Sequence, residues 1–126
     1  MKKVLVVDDV YVMRHTVKKN LESLGYSVVG IATNGYEAIE MYKTLNPDFV
    51  TMDITMPSVN GIGNGVEALA QIKTYDPNAK IIVVTSYGEQ RLIIDAISKG
   101  VQGYILKPIT KDKLLNAISK LKFNHR

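Results

Sequence analysis

Five times along this chain a short, mainly apolar run is followed by a segment with helical spacing. That alternation limits the fold more than any other feature. The runs are Lys3–Val7, Ser27–Ala32, Asp48–Met52, Lys80–Val84 and Gly103–Leu106. Several are continuous, as in Ile81-Ile82-Val83-Val84, which is the pattern of strands covered on both faces. Between them the spacing predicts helices from about Val10 to Leu24, Gly35 to Leu45, Val66 to Tyr75, Glu89 to Lys99 and Lys111 to Leu121. Asn34 and Thr110 are expected N-caps, and Gly25, Pro47 and Gly100 are expected stops. The expected inward stripes are Val10, Met13, Val17, Leu21 and Leu24 on the first helix, and Ala38, Ile39 and Tyr42 on the second. The third offers Val66, Leu69, Ala70 and Ile72, and the fifth Leu114, Leu115, Ile118 and Leu121. Strand–helix alternation of this kind predicts an α/β fold, a doubly wound five-stranded parallel sheet with right-handed crossovers. At 126 residues, the whole span 1–126 is expected to form one domain.

A parallel sheet delivers the ends of its strands to one edge, and open α/β sheets bind ligands there. The first run ends in Asp8-Asp9 and the third in Asp53. The fourth ends in Thr85-Ser86, and the fifth in Lys107 followed by Pro108. Three converging carboxylates repel one another by roughly 1 to 4 kcal/mol per close pair, a cost that a divalent cation removes. Clustered oxygens favour a hard cation such as Mg²⁺. A lysine opposite them can pair with an anion, and a hydroxyl can hydrogen-bond a phosphoryl oxygen. Together these groups suit a phosphoryl site in which Asp53 is the nucleophile.

Taken in order, Val6-Val7-Asp8-Asp9, Met52-Asp53-Ile54-Thr55-Met56-Pro57, Asn60-Gly61, Val84-Thr85-Ser86 and Lys107-Pro108 resemble the response-regulator receiver domain of two-component signalling, especially its single-domain chemotaxis-type members. The resemblance runs the length of the chain and implies the (βα)5 flavodoxin-like receiver fold. It implies that Asp53 accepts phosphate from a histidine kinase in a Mg²⁺-dependent reaction, and that the domain promotes its own phosphorylation and dephosphorylation. Asp9, Asp53 and the Thr55 carbonyl would hold the ion, with Asp8 acting partly through water. Lys107 would bind the phosphoryl group, Thr85 would be the switch hydroxyl and Tyr104 the switch aromatic. The Lys107–Pro108 bond would be cis.

The output surface is expected on the fourth helix, fifth strand and fifth helix. Leu92, Ile93, Ile94, Ala96 and Ile97 form an apolar set too wide for one buried stripe, and Ile93 is the residue expected to face a partner. With Tyr104 and Lys111 it would contact a phosphorylation-dependent target such as a motor switch component. Lys111 and Lys113 would favour an acidic peptide. Three other readings stay open: a phosphorelay intermediate serving a histidine phosphotransfer protein, the receiver part of a longer transcriptional regulator, and a metal-dependent phosphatase. A flavodoxin-like electron carrier fits poorly, because Asp8-Asp9 at the first turn would repel a cofactor phosphate.

Charge and composition restrict the partners. The chain carries a net charge of +4. Part of the excess lies in Lys111, Lys113, Lys120, Lys122 and Arg126, spaced as on a solvated helix face. No aromatic–basic pattern supports direct contact with nucleic acid. No cysteine is present, which excludes a disulfide framework and suits the cytoplasm. Lys2-Lys3 precedes only four apolar residues, too few for a signal peptide, and no run is long enough to insert in a membrane. A monomer is expected. His15 and His125 are read as surface residues rather than phosphorylation sites.

One departure from the family pattern stands out. A typical receiver enters its third helix soon after its Asn-Gly step, whereas here Ile62-Gly63-Asn64-Gly65 intervenes. With its glycines, the segment is expected to be a mobile surface insertion near the site. The other reading is a shifted start of the third helix that changes access to Asp53.

Overall fold

In the computed structural model, residues 1–123 are described; His125 and Arg126 fall outside them. Five strands, β1 (Lys3–Val7), β2 (Ser27–Ala32), β3 (Phe49–Asp53), β4 (Ile81–Thr85) and β5 (Gly103–Leu106), alternate with five helices. The helices are α1 (Tyr11–Ser23), α2 (Gly35–Leu45), α3 (Gly65–Tyr75), α4 (Gln90–Ser98) and α5 (Lys111–Ser119). The strands pair in parallel in the order β2-β1-β3-β4-β5. The order reverses between β1 and β3, and a crevice opens at such a switch point, outside the carboxyl ends of the strands.

Each strand divides its side chains between two cores, because successive residues point to opposite faces. Val4, Val6, Phe49, Ile82 and Val84 pack with α1 and α5 through Val17, Leu21, Leu114, Ala117 and Ile118. Leu5, Val7, Val50, Met52, Ile81 and Val83 pack with α2, α3 and α4 through Ala38, Ile39, Tyr42, Leu69, Ile72 and Ala96. The continuous apolar runs follow directly from this double coverage.

The expected caps form. Asn34 accepts from the Glu37 N–H at 2.9 Å, and Thr110 from the Lys113 N–H at 3.2 Å. The α1 end closes with Tyr26 N–H on Leu21 O and Gly25 N–H on Glu22 O, the paired bonds of a Schellman stop.

Three stripe assignments change. Val10 is exposed, because it occupies the N-cap position rather than a turn of α1. In α3 the fully buried alanine is Ala68, one turn before Ile72, while Ala70 lies on the half-buried flank. In α5 Ala117 is buried and Leu115 exposed, since Leu114, Ala117, Ile118 and Leu121 share one face and Leu115 lies about 100° around from it. Among the described residues no helix is long and apolar enough to cross a membrane.

Candidate functional site

The switch point brings Asp8, Asp9 and Asp53 together, with one carboxylate oxygen from each within 4.8 Å of the others. β1 and β3 are adjacent and in register, Val7 opposite Met52, so the residues that follow them meet. Asp8 is buried and Asp9 exposed. Asp8 Oδ1 accepts from the Val10 N–H at 2.9 Å, and the Asp8 carbonyl accepts from the Arg14 guanidinium at 3.0 Å. The Asp9 carboxylate faces solvent.

Asp53 is only 2% exposed. Its Oδ1 accepts from the Thr55 N–H at 2.9 Å, and its Oδ2 lies 3.5 Å from Lys107 Nζ. The same ammonium stands 3.5 Å from Asp8 Oδ2. These are ion-pair distances, longer than charge-assisted hydrogen bonds, so one lysine is shared between two acids without being locked to either. Burial pushes the Asp53 carboxyl up to about 6, and the Asp8 and Asp9 charges add to the shift. The Thr55 N–H and Lys107 oppose it without cancelling it.

Among the described residues three carboxylates cluster with one ammonium, so acidic groups outnumber the lysine that faces them. The donor set is all oxygen, and one member is open to water. Those are the ligands a hard divalent cation takes while keeping part of its hydration shell, so the residues fit the expected ion.

The backbone around Asp53 is clamped on two sides. Ile54 N–H donates to Val84 O at 3.2 Å, and Gly65 N–H to Ile54 O at 3.2 Å. A Cβ on Gly65 would overlap the Asp53 carbonyl oxygen and come within 2.7 Å of Ile54 Cα. Only glycine lets α3 begin against the strand end that carries Asp53.

Thr85 ends β4 fully buried, its carbonyl accepting from Lys107 N–H at 2.8 Å. Among the described residues its hydroxyl makes only a long contact, 3.5 Å, to the Ser86 carbonyl, and so has no strong competing partner there. Tyr104 pairs with Val83 and Leu106 with Thr85, which puts these side chains on one face of the sheet. Tyr104 is 49% exposed beside α4. Thr55 is exposed, and the Lys107–Pro108 bond is cis.

At the expected output face, the exposed apolar residues of α4 are Ile94, 68% exposed, and Ile97, 52% exposed, and β5 and α5 add Tyr104, Leu106 and Leu115. Ile93 is not among them. It packs against the core with Leu92 and Val101, since it lies one turn before the buried Ala96. Lys111 is exposed as expected. Lys113 is not free, because its ammonium bends back to the carbonyls of Leu106 at 2.9 Å and Pro108 at 3.0 Å. A groove of about 580 Å³ lies between α4, β5 and α5, lined in part by Ile97, Tyr104, Leu106, Asn116 and Lys120. His15 sits on the exposed face of α1, stacked with Tyr11.

The segment expected to be a mobile surface insertion is instead tied down. Val59 N–H donates to Ile62 O and Ile62 N–H to Val59 O, each at 2.9 Å. Asn60 and Gly61 between them have φ of 50° and 79°. That is a two-residue hairpin of the primed type, which needs positive φ at both central residues and favours Asn-Gly. The Asn-Gly step that opens the third helix is therefore the later one. Asn64 accepts from Val66 and Glu67 N–H, and Gly65 is the first helical residue.

Two signals in the sequence point to this arrangement. One is Asn-Gly between Val59 and Ile62. The other is the near repeat of Asn34-Gly35-Tyr36-Glu37-Ala38 in Asn64-Gly65-Val66-Glu67-Ala68, each an N-cap followed three residues later by Glu.

Comparison with known proteins bears on the family and the fold. Residues 4–119 match the family described as "Response regulator receiver domain". The chemotaxis protein CheY of Thermotoga maritima is 48% identical over 95% of this chain and 97% of its own. CheY of Bacillus subtilis is 45% identical over 94% and 95%. Among solved structures, the CheX–CheY–BeF3–Mg²⁺ complex from Borrelia burgdorferi aligns with a TM-score of 0.84 at 33% identity, covering 93% of this chain and 86% of that one.

Proposed function

The chain belongs to the response regulator receiver domain family, and from that premise we propose that Asp53 is its phosphoacceptor, served by Asp8, Asp9, Thr55, Thr85 and Lys107. It is a phosphoacceptor response regulator of chemotaxis-type signalling. One observation carries the assignment to these residues: a buried carboxylate shares one lysine with a second acid and stands beside a third, at the switch point of a parallel sheet.

A free Asp53 carboxylate oxygen attacks the phosphorus of a phosphohistidine. The P–N bond breaks, and the imidazole leaves with the electron pair of that bond. Lys107, within 3.5 Å of Asp53, meets the charge on the phosphoryl oxygens. Asp9, Asp53 and the Thr55 carbonyl would hold Mg²⁺, which would supply positive charge to the phosphoryl oxygens. Asp8 has one oxygen committed to Val10 N–H, and its other oxygen, 3.5 Å from Lys107 Nζ, would take the water-mediated share. The Thr55 N–H holds Asp53 in one orientation.

The donor is a histidine kinase. The target is a protein that binds after phosphorylation, such as a motor switch component; the Borrelia complex supports binding of a partner in the Mg²⁺ and beryllium fluoride state. Span 1–126 acts as a single cytoplasmic, monomeric domain with no nucleic-acid contact. Its output face is α4, β5 and α5, with Ile94 and Ile97 replacing Ile93 as the exposed apolar contacts beside Tyr104 and Lys111. Moving a switch from about 1% to 99% active takes roughly 5.5 kcal/mol of differential binding, which a phosphoryl group gripped by the ion, Lys107 and Thr85 can supply.

The test is labelling with acetyl phosphate or phosphoramidate, with and without Mg²⁺. Wild type should label only with the ion. Lys107→Ala should fold and bind Mg²⁺ while its phosphate-induced change falls roughly tenfold or more. A variant activated as well as wild type removes Lys107 from the site.

Thr85→Ala and Tyr104→Ala should keep labelling within about threefold and weaken phosphorylation-dependent target binding by roughly tenfold. Chemical-shift mapping with beryllium fluoride is expected to move α4 and β5. Changes confined to α1 and α2, with α4 silent, refute this output face.

A further inference from the structure

We propose that the Val59–Ile62 hairpin, anchored by Ile62, is a positioning device for the phosphoacceptor site, holding the Thr55 segment in its cation-binding geometry. The inference rests on the assignment of Asp53 and Thr55 above.

The connection from Asp53 to α3 runs through eleven residues, Ile54 to Asn64, long enough to hold many conformations if left free. It is not left free. Ile54 and Met56 are buried at its start and Ile62 near its end, Ile62 only 9% exposed. The paired 2.9 Å bonds between Val59 and Ile62 close a small loop between these anchors. Ile62 is wedged where two helices begin. A Cβ on Gly35, the first residue of α2, would come within 2.9 Å of Ile62 Cγ2 and 3.0 Å of Ala68 Cβ on α3.

The last link returns to the site. Gly63 N–H donates to Glu67 on the first turn of α3 at 2.8 Å, and Gly65 N–H binds Ile54 O, one residue from Asp53. Thr55 lies inside this frame, with its N–H already on Asp53 Oδ1. A backbone carbonyl offered to a cation needs that orientation fixed beforehand, and groups that orient first ligands commonly tune metal affinity by tenfold or more.

The separating experiment uses the full chain. Ile62→Ala removes the wedge. Asn60→Ala with Gly61→Ala strains the turn at its two positive φ positions without touching the core. Each should weaken Mg²⁺ binding, followed by amide chemical shifts, by roughly tenfold. In the metal-free protein each should speed hydrogen exchange at the Thr55 amide. Ile62→Val should restore both. Leu121→Ala, in the core on the opposite face, serves as the stability control and should leave Mg²⁺ affinity within about twofold of wild type.

Wild-type affinity and Thr55 protection in both hairpin variants overturn the proposal, as does an equal loss in Leu121→Ala. Wild-type protein that binds no Mg²⁺ overturns the site assignment itself, and the hairpin's role with it.

Discussion

Asp53→Asn is expected to lose phosphoryl labelling by at least about a hundredfold while making the metal-free domain more stable at neutral pH. The first effect follows from chemistry, since an amide nitrogen or oxygen is a poor nucleophile toward phosphorus. The second follows from burial. The Asp53 carboxyl titrates at about 6 in the folded protein, against an ordinary 3.8. Below the lower value both folded and unfolded chains hold the proton, and the acid brings no penalty. Between the two values the unfolded chain ionises first. Above about 6 the folded state carries the full burden of a buried charge beside Asp8 and Asp9. Stability therefore falls as pH rises through that window. Relieving it in the asparagine variant is worth about 2 to 3 kcal/mol near pH 7 and almost nothing near pH 3. Urea unfolding of both proteins across this range, with and without Mg²⁺, measures it, and the ion should narrow the gap by stabilising wild type alone. An asparagine variant no more stable than wild type at pH 7 means that the site carries no such strain. One that labels at the wild-type rate means that another residue accepts the phosphate.

Gly65→Ala is expected to destabilise the domain by about 3 kcal/mol or more, a large effect for the addition of one methyl group. The added carbon would meet backbone atoms of Asp53 and Ile54, and backbone cannot swing aside as a side chain can. Relief requires α3 to move away from β3 or the Asp53 strand end to shift, and either displaces the nucleophile. Chemical denaturation gives the first loss and Mg²⁺ titration the second. Alanine at Gly61 alone, where space is open but φ is 79°, should cost about 1 kcal/mol, because only backbone strain opposes it. Equal effects at the two glycines dismiss the close-packing explanation.

What the sequence determined by itself was the order of elements and the identity of the residues at the strand ends. The reason is periodicity. Runs such as Val4–Val7 and Ile81–Val84 are apolar on both faces, so they have to be central parallel strands, and a parallel sheet sends Asp8, Asp9, Asp53, Thr85 and Lys107 to one edge whatever the details of packing. Capping residues act within a turn of themselves, so Asn34 and Thr110 were legible too.

Tertiary structure decided which neighbouring apolar residue turns inward. Ile93 and Ile94 are adjacent and chemically identical, and only the rotation of α4 against Ala96 and Val101 exposes one and half-buries the other against the core. It likewise decided that Lys113 is spent on two carbonyls while Lys111 stays exposed, since the turn after β5 has to fold before those carbonyls converge. The inserted segment shows both levels. Its glycines are compatible with a mobile loop, and its Asn-Gly turn is a local signal. What fixes it is Ile62 reaching a cleft between α2 and α3 made by residues as distant in sequence as Gly35, and no local pattern encodes a cleft that exists only once the two helices have packed.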